Sequence, residues 1–218
     1  MKIVELNFLE FLENLKTEIS DILPGFNAQK SMSPSIREDL IGNANPNSNT
    51  RQSAVLILLF IEENQICTIF IKRPVYEGPH SGQVSFPGGK YDETDLTIQQ
   101  TALRETQEEI GVNSNEINLI GALTPLYIPI SNLMVNPFVG FISTTPILHP
   151  NLQEVAYTVT VPLDDLLNPQ NKSIKVISSH NRPISAPYYN VSNEMIWGAT
   201  AMILAEFLEI VKKFKQKD

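Results

Sequence analysis

Apolar residues recur at Leu6, Leu9, Leu12, Leu15 and Ile19, with Phe8 and Phe11 on the flank. Steps of three and four predict an amphipathic helix over 6–22, closed by Pro24 and Gly25. Residues 26–51 are rich in Asn, Ser and Pro and read as a loop with room for a helical turn. From Ser53 the pattern changes to short apolar, β-branched runs. Ala54–Glu62 and Ile66–Lys72, parted by Glu63, Asn64 and Gln65, predict a β-hairpin. A short strand over Gln83–Phe86 precedes a Pro87-Gly88-Gly89 turn, and a helix is expected over Asp95–Ile110, with Asp95 as its N-cap and Gly111 as its stop. Further strands are expected near Ile117–Leu126, Met134–Ser143 and Val155–Val161, and Ser173–Ser178 with Tyr188–Val191 reads as another hairpin. Ser192–Lys213 is apolar along one side through Ile196, Met202, Ile203, Phe207, Ile210 and Val211, and predicts a second long helix. Long helices flanking a mixed sheet make an α/β/α sandwich, which buries both sheet faces. Residues 1–50 are then an N-terminal extension of helix and loop, and 51–218 the main domain.

Composition narrows the partners more than the fold. At 218 residues, 42% hydrophobic and 18% charged, the chain is that of a globular protein. A net charge of −8 argues against nucleic acid as a main partner, since phosphate backbones are held by clustered Lys and Arg. Cys67 is the single cysteine, so no disulfide forms within the chain, and a reducing compartment is the simpler expectation. The first residues mix acids with apolar groups and lack a signal-peptide core, and the run Ala54–Ile61 is too short for a bilayer. A cytoplasmic protein with no membrane partner is expected.

The chemistry concentrates at Glu105, Glu108 and Glu109. On a helix, positions i, i+3 and i+4 share a face, so three carboxylates point at one volume. Like charges that close repel, and a hard divalent cation with oxygen ligands is the usual remedy. An acidic run alone is more often a solvated helix face. Here it follows Phe86-Pro87-Gly88-Gly89, where double glycine lets backbone approach a ligand, and Arg104 adjoins it to orient a carboxylate. Metal-dependent chemistry at phosphate is the expectation. Lys72 and Arg73 end a strand beside the loop leading there and are candidates to hold substrate phosphate; the alternative is a charged strand end.

The stretch Gly89-x5-Asp95-x8-Arg104-Glu105-Thr106-Gln107-Glu108-Glu109-Ile110-Gly111-Val112 resembles the Nudix box, Gly-x5-Glu-x7-Arg-Glu-U-x-Glu-Glu-x-Gly-U with U bulky and apolar. Asp95 stands for Glu, one extra residue precedes Arg104, and Thr106 replaces the apolar position. Gly88-Gly89-Lys90-Tyr91-Asp92-Glu93-Thr94-Asp95 and Ala102-Leu103-Arg104-Glu105 are similar to the coenzyme A pyrophosphatase branch. So is the upstream stretch containing Arg73, Gly82, Phe86 and Pro87, although Pro74 replaces Ser or Ala and Gly78 replaces an Arg. The likeness runs on through Glu154-Val155, Pro162-Leu163 and Ile196–Ala201, covering about residues 53–210.

The resemblance implies a Nudix-type α/β/α sandwich with an added N-terminal helix. It implies Mg²⁺ or Mn²⁺ bound chiefly by Glu105 and Glu109, with Glu108 assisting and the Gly89 carbonyl contributing, and Arg104 holding the glutamates in place. Arg73 is favoured over Lys72 for substrate. Glu154, by analogy with a remote glutamate recruited in the family, binds metal or accepts the proton of the attacking water, and a box glutamate such as Glu105 is the other candidate base; for Glu154 the alternative is a solvated loop carboxylate. The implied substrate is coenzyme A or a derivative, split to 3′-phospho-AMP and 4′-phosphopantetheine. ADP-ribose or another nucleotide sugar is the rival substrate, and a non-catalytic nucleotide-binding scaffold the rival class. Analogy also allows a homodimer. His80, His149 and His180 lack a second ligand at metal-like spacing, and Ser81, Ser85 and Cys67 lack a base. Trp197, Tyr188 and Tyr189 could contact an adenine, but helix packing is the simpler role.

Overall fold

The computed structural model describes residues 3–35, 45–77, 80–179 and 182–215, with the side chains of 3–6, 179 and 182 left aside. Gly78 and His180, named above, lie outside the described residues. The strands are β1 (Arg51–Glu62), β2 (Gln65–Lys72), β3 (Val84–Ser85), β4 (Gly88–Lys90), β5 (Asn118–Ala122), β6 (Leu126–Ile128), β7 (Leu133–Phe141), β8 (Tyr157–Pro162), β9 (Lys172–Ser179), β10 (Arg182–Val191) and β11 (Glu194–Trp197). The helices are α1 (Ile3–Ser20), α2 (Phe26–Lys30), α3 (Ile98–Ile110), α4 (Leu163–Leu167) and α5 (Gly198–Lys215).

The main sheet runs β3-β2-β1-β7-β5, with β8 on β2, β4 on β1 and β6 on β7. It is mixed, because β1 lies parallel to β7 and antiparallel to β2. Glu63 and Asn64, both at positive φ, make the two-residue turn of the β1–β2 hairpin, a geometry that suits strand twist. In β1, Ala54, Leu56, Leu58 and Phe60 face a core shared with Ala102 and Ile110 of α3. Ile57 and Leu59 face the opposite core, shared with α5 and with Phe11, Leu12 and Leu15 of α1. Both faces are covered, which is why the run reads as continuously apolar. This is the expected Nudix-type α/β/α layering with its N-terminal helix.

The extension is fastened to that second core by more than apolar contact. Glu206 of α5 is fully buried and accepts hydrogen bonds from Gly25 N (3.1 Å), Gln29 Nε2 (2.8 Å) and Thr124 Oγ1 (2.6 Å).

Three local expectations change. α3 begins at Ile98, capped by Thr97 Oγ1, which accepts from Gln100 N, because Asp95 is drawn inward instead to pair with Arg104. Gly88 and Gly89 form strand as well as turn, pairing with Val55 and Ala54. The last helix starts at Gly198, since Ser192 and Asn193 make a second positive-φ turn and Glu194–Trp197 pairs back onto β10. β9, β10 and β11 form a separate three-stranded sheet.

Candidate active site

The site forms where the main sheet splits. β1 and β2 pair from Leu59↔Thr68 to Glu62↔Gln65. Away from the turn β2 pairs instead with β3 (Ile71↔Ser85) and β1 with β4 (Val55↔Gly88), while β8 occupies the other edge of β2. The segment 84–90 is thus a wedge between two strands, held by Pro87 O, which accepts from Leu56 N at 2.9 Å. Glycine is required at its tip. Gly88 has φ +147, and a Cβ there would sit 2.3 Å from Ala54 O.

α3 lies against this wedge. Glu109 is 1% exposed, and its Oε2 accepts from Gly88 N at 2.8 Å. Arg73, just past β2, places Nη2 3.9 Å from Glu109 Oε1. Burial outweighs both partners and, with the charges of Glu105 and Glu154 adding, pushes the Glu109 carboxyl up to about 7. Glu105 is raised too, by burial first. Its carboxylate fills the space beside Gly89, where a Cβ would fall 2.2 Å from Oε2.

Arg104 organises the outer side. Nε and Nη2 donate to the two oxygens of Asp95, both at 2.9 Å, while Nη1 donates to Glu105 Oε1 (2.9 Å) and Glu108 Oε2 (3.0 Å). Nη2 also reaches Lys90 O at 3.1 Å. The Arg104 hydrogen bonds, with Thr101 Oγ1 at 2.8 Å, hold the Asp95 carboxyl well below its ordinary range. Asp95 escaped the sequence analysis as the anchor of Arg104, because a nine-residue separation across a loop matches no helical or strand period.

Glu154 lies in an exposed turn over 151–154. That turn is strapped to the end of α3, since Asn151 N donates to Glu109 O and His149 N to Ile110 O, both at 2.9 Å. The strap brings the Glu154 charge within reach of Glu105 and Glu109. Glu108 is more than half exposed and meets the cluster through Arg104. Lys72 goes elsewhere. Successive residues of a strand point to opposite faces, so Arg73 faces α3 while Lys72 pairs with Glu194 of β11 at 2.7 Å. Tyr157 donates to the same Glu194 carboxylate. His149 packs its Cβ beside Gly111, and His80 contacts Gln83. Tyr189 is buried against the α5-side core, as its packing role implies.

Residues 50–177 match the NUDIX domain. The chain belongs to the Nudix family. It is similar to the uncharacterized Nudix hydrolase NudL of Pectobacterium atrosepticum, with 32% identity over 189 residues, 85% of this chain and 91% of that one. Nudix hydrolase 3 of Caenorhabditis elegans is 30% identical over 188 residues, covering 79% and 77%. An Ap4A hydrolase of C. elegans in a binary complex has the same fold, with TM-score 0.51 and 13% identity over 77% of this chain and 99% of that one. This Nudix hydrolase therefore carries its box as the turn, wedge and helix described above.

Nudix hydrolases use divalent metals, and the donors here fit one. Two desolvated carboxylates, pushed toward protonation by burial and by neighbouring carboxylate charges, suit a hard cation with oxygen ligands. Among the described residues no three acidic, His or Cys side chains form a closed cage. Magnesium keeps several waters and takes only one or two carboxylates, so an open donor set is what it needs. Among the described residues no helix is long and apolar enough to cross a membrane.

Proposed function

We propose that this Nudix hydrolase splits the diphosphate of coenzyme A or a derivative, giving 3′-phospho-AMP and 4′-phosphopantetheine, with Mg²⁺ or Mn²⁺ in a reducing, cytoplasmic setting. The observation that carries the hydrolytic reading is the buried Glu109 and partly buried Glu105 beside Gly89, with Arg73 on one side and Arg104 on the other. Glu105 and Glu109 would hold the cation, with Glu108 and the Gly89 carbonyl assisting. The bound metal supplies charge for the phosphate oxygens and lowers the pKa of a water.

The protein groups do the rest. Arg73 offers a planar guanidinium to the diphosphate. Arg104, fixed by Asp95, keeps Glu105 at its station. Glu154 takes the proton of the attacking water, because Glu105 and Glu109 are engaged as ligands while Glu154 stands exposed at the open side. The coenzyme A assignment rests on the stretches of sequence around Arg73, Gly82 and Gly88–Asp95.

A substrate panel with Mg²⁺ and product masses tests it. Coenzyme A or a thioester should give the two named products. ADP-ribose cleaved much faster would move the assignment to nucleotide sugars. Nucleotide binding without any turnover would make the protein a scaffold.

A further inference from the structure

Three buried side-chain oxygens among the described residues lack a hydrogen-bond partner: Gln29 Oε1, Thr68 Oγ1 and Ser85 Oγ. An unpaired buried hydroxyl is destabilising unless some state of the protein pairs it. Gln29 already spends its amide on Glu206 and on Thr124 O. Thr68 lies opposite Leu59 and Val161, in the apolar core beneath α5. Ser85 differs in what it faces.

Ser85 pairs with Ile71, and directly opposite residues of antiparallel strands share a face. Ile71 packs in the α3-side core, while the flanking Val84 and Phe86 pack in the other. The Ser85 hydroxyl therefore points to the α3 side of the wedge, three residues before Gly88, whose N–H holds Glu109. Arg73, whose N donates to Gln83 O at 3.0 Å, is its diagonal neighbour on that face. The orphan hydroxyl thus shares a strand face with Arg73 and lies three residues from Gly88, the two groups that attend Glu109.

Resting on the hydrolytic reading above, we propose that Ser85 is a positioning residue for Glu109 in the loaded site. At 3.9 Å, Arg73 makes an ion pair with Glu109 at the outer limit of contact and no hydrogen bond. A diphosphate carries more charge than one carboxylate and draws the guanidinium away. Glu109 Oε1 then loses its partner, and a rotation of Ser85 Oγ supplies a donor. With Gly88 N–H on Oε2, the carboxylate is fixed from both oxygens. Partners of this kind behind a metal-ligating carboxylate commonly sustain tenfold or more in metal affinity.

The test uses full-length wild type, Ser85→Ala and Ser85→Thr, with thermal unfolding of the metal-free proteins and calorimetric titration of Mn²⁺ with α,β-methylene-ADP present. Ser85→Ala should unfold at the same temperature as wild type or higher, since it deletes an unpaired group, yet bind Mn²⁺ about tenfold more weakly. Ser85→Thr keeps the hydroxyl and should restore affinity to within about threefold. A merely structural serine would move the unfolding temperature and leave Mn²⁺ affinity alone, and that result overturns the inference. Ser85→Ala matching wild type in Mn²⁺ affinity, with wild-type turnover intact, removes Ser85 and leaves the proposed function standing. Wild type that takes up no Mn²⁺ removes both.

Discussion

Glu109 and Glu206 are both glutamates on long helices, 1% and 0% exposed, packed against opposite faces of one sheet. Their partners separate them. Glu206 accepts from Gly25, Gln29 and Thr124, neutral donors spread over the extension and the strand region it packs on. Among the described residues no other acidic side chain shares those donors. Glu109 has one backbone donor, a distant guanidinium, and two further carboxylates whose charges reach it. Burial alone therefore does not mark a functional carboxylate; burial with too few donors and like charges nearby does.

Removing either carboxylate should break this contrast into two unlike phenotypes. Glu109→Gln removes a proposed metal ligand together with the cost of ionising a buried carboxyl. Turnover should fall by about a thousandfold or more, with an unfolding temperature at neutral pH no lower than that of wild type. Steady-state kinetics within tenfold of wild type would dismiss Glu109 as a ligand. Glu206→Ala should do the reverse, stranding the donors of Gly25, Gln29 and Thr124. A loss of about 3 kcal/mol is expected for such stranded groups, or roughly 6–12 °C in unfolding temperature for a chain this long. Its kcat at 20 °C should stay near wild type, and a collapse of kcat in folded protein would mean the extension shapes the site.

A pH series sharpens the same contrast without changing both ends of the molecule. The folded Glu109 carboxyl is raised from 4.5 to about 7. A raised acid binds its proton more tightly folded than unfolded, so its contribution is full below about 4.5 and is lost as pH rises through about 7. Metal-free wild type should thus lose stability between those values, measured by denaturant unfolding in buffers with chelator. Glu109→Gln should flatten that slope. Saturating Mg²⁺ should also flatten it, because a cation takes the place of the proton. An unchanged slope in Glu109→Gln would reassign the titration to another group.

How far these features could be read from sequence follows the range of the forces involved. Local periods gave the β1–β2 hairpin, α1 and most of α3, since each is set by neighbours within a few residues. The same period put Glu105, Glu108 and Glu109 on one face, whereas in α3 Glu108 stands outward and meets Glu105 only through Arg104. Asp95 was misplaced as a cap because its partner is a guanidinium more than two helical turns away, and that attraction outweighs the local one. The strand expected over Gln83–Phe86 holds β3, but β4 and the wedge it completes were invisible for another reason. A double glycine announces a turn, and only the split between β1 and β2 gives it strands to pair with. Glu206 drew no notice, because nothing in an amphipathic pattern tells which polar residue will be turned inward.

Lys72 and Arg73 offer the finest version of the comparison, two adjacent cations separated by strand alternation alone. Arg73 faces Glu109, and Lys72 faces Glu194 and Tyr157 on the other side of the sheet. Truncating the first should weaken diphosphate binding, so Arg73→Gln is expected to raise KM about tenfold, the equivalent of one charge-assisted hydrogen bond. Lys72→Gln breaks a partly exposed ion pair, worth about 1 kcal/mol or less to stability, and should shift KM by under about threefold. Equal effects of the two substitutions on KM would mean that substrate bends around the end of β2 to touch both faces. A larger effect at Lys72 would place the phosphate on the β11 side and turn Arg73 into a counter-ion for Glu109 alone.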